Sequence, residues 1–143
     1  LLDNKDINIF EDGNESRDFI HVKDIAATVV KSLDIPASNG EIINLGCGKG
    51  TSVIEIAETL KKIYNSTSRL NITGDFRIGD IAHNIADISK AREILAFTPT
   101  ISLQEGLTGF CTWVPGQETD NSRYEQSLNE MEKSGMFIRR AEH

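Results

Sequence analysis

Between residues 45 and 53 the chain reads Leu-Gly-Cys-Gly-Lys-Gly-Thr-Ser-Val. Glycines at alternate positions let a backbone reverse within a few residues, because no Cβ blocks the left-handed region. Upstream, Glu41–Leu45 reads as a strand with Ile42 and Ile43 at a buried centre. Downstream, Ser52 and Glu55 have capping-box spacing, which opens a helix by satisfying two of its free N–H groups. Val53, Ile56, Ala57, Leu60 and Ile63 follow with a 3.6-residue period, so this helix has one apolar face. It should end near Tyr64-Asn65, and Leu70–Ile72 reads as the next strand. Strand, glycine turn, helix and strand in this order predict a βαβ unit in a partly parallel sheet, and so a mixed α/β fold.

The flanking segments agree with that class. Ile7–Phe10 reads as a strand ending at an Asp12-Gly13 turn. Phe19–Val22 reads as a second short strand. A helix is expected from about Lys23 to Leu33, with Ile25, Val29, Val30 and Leu33 on one face and Asp24 in its first turn. Pro36 and Ser38-Asn39-Gly40 form a loop. Thr73 to His83 is a polar loop, and Ser89 is placed to cap a short helix reaching Leu95. Phe97-Thr98-Pro99 breaks it. A second capping box, Ser102 with Glu105, opens a helix on Leu103, Leu107, Phe110, Cys111 and Val114 that stops at Pro115-Gly116. In the polar tail, Tyr124, Leu128 and Met131 place one more helix before Gly135.

Composition narrows the function classes. Fifteen basic and 22 acidic residues give a net charge of −7. That argues against non-specific nucleic-acid binding, which depends on phosphate neutralisation by Lys and Arg. No apolar run approaches the roughly 18 residues that cross a bilayer, so no membrane partner is expected. Cys47 and Cys111 are too few for a disulfide framework, which makes a reduced, cytoplasmic setting the expectation. They read as packed thiols. His21, His83 and His143 show no metal-ligand spacing. The opening Leu1-Leu2-Asp3 carries no Met and no signal-peptide pattern, as in a piece of a longer protein.

The glycine turn has two readings on its own. Its spacing is G-x-G-x-G, not the dinucleotide pattern G-x-G-x-x-G. It is similar to the first motif of S-adenosylmethionine-dependent methyltransferases, with Asp75 after the next strand in the position of their acid. Equally, it is a strand-to-helix turn that binds nothing, as in a non-enzymatic α/β module. The region Ile88–Gly106 weighs against the methyltransferase, since it reads as helix, break and helix where an acceptor-site strand should stand.

Two longer segments carry more. One is Glu11-Asp12-Gly13-Asn14-Glu15-Ser16-Arg17-Asp18-Phe19-Ile20-His21-Val22-Lys23-Asp24-Ile25-Ala26. The other is Gly74-Asp75-Phe76-Arg77-Ile78-Gly79-Asp80 continuing through Ala86-Asp87-Ile88-Ser89-Lys90-Ala91. With Asn44-Leu45-Gly46 between them, and over about Ile7 to Trp113, they resemble the C-terminal, substrate-binding portion of the extended short-chain dehydrogenase/reductases. Within that family the resemblance is to the NAD-dependent nucleotide-sugar epimerases and dehydratases, of the UDP-glucose 4-epimerase type. It implies a Rossmann-type mixed sheet with flanking helices, and NAD as cofactor of the full-length enzyme. It also implies a UDP- or dTDP-sugar substrate and a homodimer. Arg17 and Arg77 match arginines that hold the diphosphate, and a planar guanidinium suits phosphate because it donates parallel hydrogen bonds. Asp80 matches the carboxylate that accepts from ribose hydroxyls. From residue types alone, Arg17 could instead pair with Glu15 or Asp18, and Arg77 with Asp80. Asp18 and His21 read as structural, His21 as a hydrogen-bonded core histidine. Relatives often carry a basic residue where Ala82 stands.

The family's Tyr-x-x-x-Lys pair has no match here, since Ser68 and Leu128 stand four residues after Tyr64 and Tyr124. Nor is there a Gly-x-x-Gly-x-x-Gly. No catalytic or cofactor-binding residue is therefore assigned to this chain. The expected division is residues 1–116 as substrate-binding portion and 117–143 as a polar, helical tail. The NAD-binding half lies outside the chain, which alone should be inactive. By resemblance, the full enzyme would be a sugar 4-epimerase, with a dehydratase as the alternative. In relatives the Glu41–Leu45 strand completes the nucleotide domain's sheet, so here it should show an open edge.

Overall fold

The computed structural model describes residue 1, residues 4–117 and residues 121–140. Of the expected tail, residues 118–120 and 141–143 lie outside the described residues, as do 2 and 3. The architecture is mixed, with short strands and flanking helices, as the sequence predicts. The strands form three small sheets. β1 (Ile7–Ile9) pairs in parallel with β4 (Leu70–Ile72), in the register Ile7↔Leu70 and Ile9↔Ile72. β2 (Ser16–Asp18) lies between β3 (Gly50–Ser52), antiparallel, and β6 (His83–Asn84), parallel. β5 (Phe76–Arg77) pairs antiparallel with β7 (Phe137–Ile138). The helices are α1 (Val22–Ser32), α2 (Val53–Ile63), α3 (Ser89–Leu95), α4 (Leu103–Trp113) and α5 (Asn121–Lys133).

Both capping boxes form as the spacing predicts. Ser52 Oγ accepts from the Glu55 N–H at 3.2 Å, and Glu55 Oε2 accepts from the Ser52 N–H at 2.8 Å. Ser102 and Glu105 repeat the arrangement on α4. On α2, Ala57 is buried and Ile56, Leu60 and Ile63 are half-buried, while Val53 is exposed. Tyr64 Oη pins the end of α2 to α4 by donating to the Cys111 carbonyl at 3.1 Å. α3 differs in detail. Ser89 is its first helical residue, and Asp87 Oδ1 accepts the Ser89 N–H at 2.9 Å. The core is small: Ile88, Ala91, Leu95 and Phe97 are buried, with Ile20, Ile43, Leu45 and Ile94 packed on them.

Three expectations need correction. The second strand is Ser16–Asp18, upstream of Phe19–Val22, and His21 is the N-cap of α1 rather than a core histidine. Its Nδ1 accepts from the Lys23 N–H at 3.1 Å. Second, Glu41–Leu45 has no strand partner, and no described group pairs with the backbone of Ile42–Leu45. Its side chains nevertheless alternate, with Ile43 and Leu45 packed on the core and Ile42 88% exposed. β4 pairs with β1 instead of with this segment, so residues 41–72 do not close a βαβ unit on themselves.

Third, α1 faces the other way. Val29, Val30 and Leu33 are 53%, 65% and 81% exposed, whereas Asp24 and Thr28 are buried. Asp24 accepts from the hydroxyl and N–H of Thr100 and from the Ile101 N–H at 3.1 Å. Lys31 Nζ donates to the Leu95 carbonyl at 2.6 Å. These bonds turn the polar stripe inward, because buried polar groups hold their place only when partnered.

Candidate functional site

The glycine turn is occupied by the chain itself. Asp18 Oδ1 accepts from the Cys47 N–H at 2.6 Å, and Oδ2 accepts from the N–H groups of Gly48 at 2.8 Å and Ala86 at 3.3 Å. A Cβ at Gly46 would lie 2.5 Å from Asp18 Oδ2 and 2.7 Å from the Ala86 Cβ. The glycine is needed for close approach of the chain's own carboxylate. Amide groups that would otherwise cradle an anion are spent on Asp18. This removes the methyltransferase reading. For the same reason the turn does not fit a dinucleotide, so no chemistry of NAD is assigned to it. Cys47 lies half-buried with its thiol donating to the Phe19 carbonyl at 2.9 Å, and burial pushes that thiol up from its ordinary pKa. Cys111 is buried.

A cavity of about 640 Å³ opens elsewhere, over β5 and the turn that follows it. Arg77, Asp80, His83, Arg140, Glu11 and Glu15 supply its charged and titratable lining, with Asp12. Arg77 sits in β5, and Asp80 three residues on, where the Asp80 N–H donates to the Arg77 carbonyl at 3.2 Å. Gly79 makes that turn with φ +90°. Arg77 Nε and Nη2 donate to one oxygen, Asp80 Oδ2, at 2.9 and 2.6 Å. Arg77 Nη1 and Asp80 Oδ1 have no partner among the described residues. The pair therefore still presents donors on one side and an acceptor on the other.

Arg17 does not line this cavity. Its Nη1 donates to the carbonyls of Ser16 at 2.8 Å and Ala82 at 3.1 Å, so it pairs with neither Glu15 nor Asp18. It reaches the cavity wall only through Ala82. His83 is held from β2, its Nδ1 2.9 Å from Ser16 Oγ. Burial, with the neighbouring carboxylates of Glu15, Asp80 and Asp12, pushes the Glu11 carboxyl up from its ordinary value. Sequence reasoning missed Arg140. Nothing in a polar tail signals that β7 returns it to this cavity.

The family model described as "NAD dependent epimerase/dehydratase family" matches residues 1–46. A dTDP-L-rhamnose 4-epimerase of Burkholderia thailandensis is 32% identical over 116 residues, covering 81% of this chain and 31% of that protein. Over about four-fifths of its length the chain is similar to the NAD-dependent epimerase/dehydratase family. A second family member, the UDP-glucuronate 4-epimerase of Thermodesulfobacterium geofontis, is 37% identical over 79% of this chain and 34% of its own length. Among solved structures, the UDP-glucuronic acid 4-epimerase of Bacillus cereus in complex with UDP-glucuronic acid and NAD superposes with a TM-score of 0.70. It is 30% identical, covering 80% of this chain and 37% of that one. The chain thus spans about a third of the length of the family relatives it matches. Its short mixed sheets and helices are part of the Rossmann-type fold of those epimerases. No helix among the described residues is long and apolar enough to cross a membrane.

Proposed function

We propose that this chain is the nucleotide-sugar-binding part of an NAD-dependent sugar 4-epimerase. The observation that carries the reading is the Arg77–Asp80 pair on the cavity wall, within a chain related to 4-epimerases of UDP- and dTDP-sugars. Arg77 Nη1 would donate to a diphosphate oxygen, a charge-assisted contact. Asp80 Oδ1 would accept from a ribose hydroxyl. Arg17 donates to the Ser16 and Ala82 carbonyls behind the cavity wall and would brace the Ala82 stretch of that wall without itself touching the diphosphate. Holding the nucleotide this way orients the remote sugar for chemistry performed elsewhere.

NAD would be bound by the part of the relatives' length that this chain lacks. The outward stripe Val22, Val29, Val30 and Leu33, with Ile42 and the unpaired backbone of Ile42–Leu45, is the surface that part would cover. The test is nucleotide-sugar binding by the full-length protein. Arg77→Ala should weaken it by about 1.5–3 kcal/mol, the range for a hydrogen bond to a charged group, with NAD binding unchanged. Intact affinity alongside lost stability would show that the Arg77–Asp80 pair is only structural.

A further inference from the structure

We infer that Arg140 is a second anion-binding residue of the Arg77 cavity, contacting the diphosphate of the nucleotide. The inference rests on the nucleotide-sugar reading and names a residue that reading does not include.

The fold delivers Arg140 through β7. Phe137 is 2% exposed, and its ring centroid lies 5.2 Å from that of Phe10. Arg77↔Phe137 and Phe76↔Ile138 set the register. Continuing it antiparallel brings Arg140 beside Gly74, at the end of β5 away from Asp80. The Arg140 N–H donates to Asp75 Oδ1 at 2.9 Å, fixing the backbone there. Its side-chain stem crosses Gly74, where a Cβ would lie 2.6 Å from Arg140 Cδ and 3.3 Å from Nη1. Gly74 also has φ +72°, so the slot exists because residue 74 has no side chain.

Arg139 and Arg140 are then used differently. Arg139 is consumed by the fold, bonding Glu132 at 3.1–3.2 Å and lying 5.6 Å from the Phe137 ring centroid. Arg140 lines the cavity, and its guanidinium has no partner among the described residues. The electrostatics of the cavity make this matter. Among the described lining residues, Glu11, Asp12, Glu15 and Asp80 face two arginines, and one of these, Arg77, is shared with Asp80. A diphosphate entering so acidic a wall needs a cation that is not already neutralised. Among the described lining residues, Arg140 is that cation.

The experiment uses the full-length protein with UDP, dTDP, uridine and thymidine as probes, read by calorimetry. Arg140→Met keeps the stem on Gly74 and removes the charge. It should weaken whichever nucleoside diphosphate binds by about tenfold, near the low end for one hydrogen bond to a charged group. The matching nucleoside should be unaffected, and so should diphosphate binding by Arg139→Ala. Arg77→Ala separates the two claims. If neither diphosphate binds, or Arg77→Ala leaves binding intact, the nucleotide-sugar reading falls. If Arg77→Ala weakens binding and Arg140→Met does not, only the role of Arg140 falls. Equal loss for diphosphate and nucleoside also overturns it. Should Arg140→Met lower the melting temperature, Arg140→Lys decides: recovered diphosphate affinity supports the charge, and persistent loss refutes it.

Discussion

Asp18 joins three segments that the sequence places far apart, and its removal should be felt throughout the fold. In Asp18→Ala, the N–H groups of Cys47, Gly48 and Ala86 lose their acceptor. The two short bonds, at 2.6 and 2.8 Å, are charge-assisted, each in the range of about 1.5–3 kcal/mol. Gly48 is exposed, so water replaces part of its bond. The 3.3 Å contact from Ala86 adds little. The sum is a loss of about 2–4 kcal/mol, a large share of a typical domain's stability. Asp18→Asn should fare nearly as badly, because its amide turns a donor toward one of the same N–H groups. Urea denaturation of the protein carrying this chain checks both variants. The expected outcome is a lowered midpoint at unchanged slope. A loss under about 1 kcal/mol, or an Asn variant as stable as the parent, would refute the view that this carboxylate holds the glycine turn.

Four further outcomes are expected. Ser52→Ala should cost about 0.5–2 kcal/mol of stability while Ser52→Asp retains most of it, measured by the same denaturation. Hydrogen bonds from Thr100 hold the Asp24 carboxyl below its ordinary value of 3.8; a lowered native pKa stabilises above the unfolded value, so stability should fall as pH drops through the native pKa, and Asp24→Asn should flatten that dependence. Glu11 is shifted the opposite way, so Glu11→Gln should raise stability at neutral pH and lose its advantage in acid below about pH 4, seen in melting temperatures across pH. The chain alone should turn over no UDP- or dTDP-sugar with NAD added, because it encodes no Tyr-x-x-x-Lys pair; measurable epimerisation by the purified chain would overturn this.

Local rules carried the sequence reading furthest. The capping boxes at Ser52 and Ser102 and the helices after them depend on residues three and four apart, so spacing alone determined them. The mixed α/β class was legible too, whereas the local Arg77–Asp80 pair was only one of two readings that the residue types allowed. What the sequence could not settle was which surfaces meet. α1 carries an apolar stripe and a polar one, and the periodicity pointed to burial of the apolar stripe. Thr100 and Ile101, more than seventy positions away, supply the donors that turn Asp24 inward. The Glu41–Leu45 segment alternates like a strand, yet a strand exists only when another backbone pairs with it, and none among the described residues does. Arg140 reaches the cavity because Gly74 leaves a slot and β7 pairs with β5 across some sixty residues. Hydrogen-bond partners so distant in sequence leave no local pattern to read; only the folded chain brings them within reach of each other.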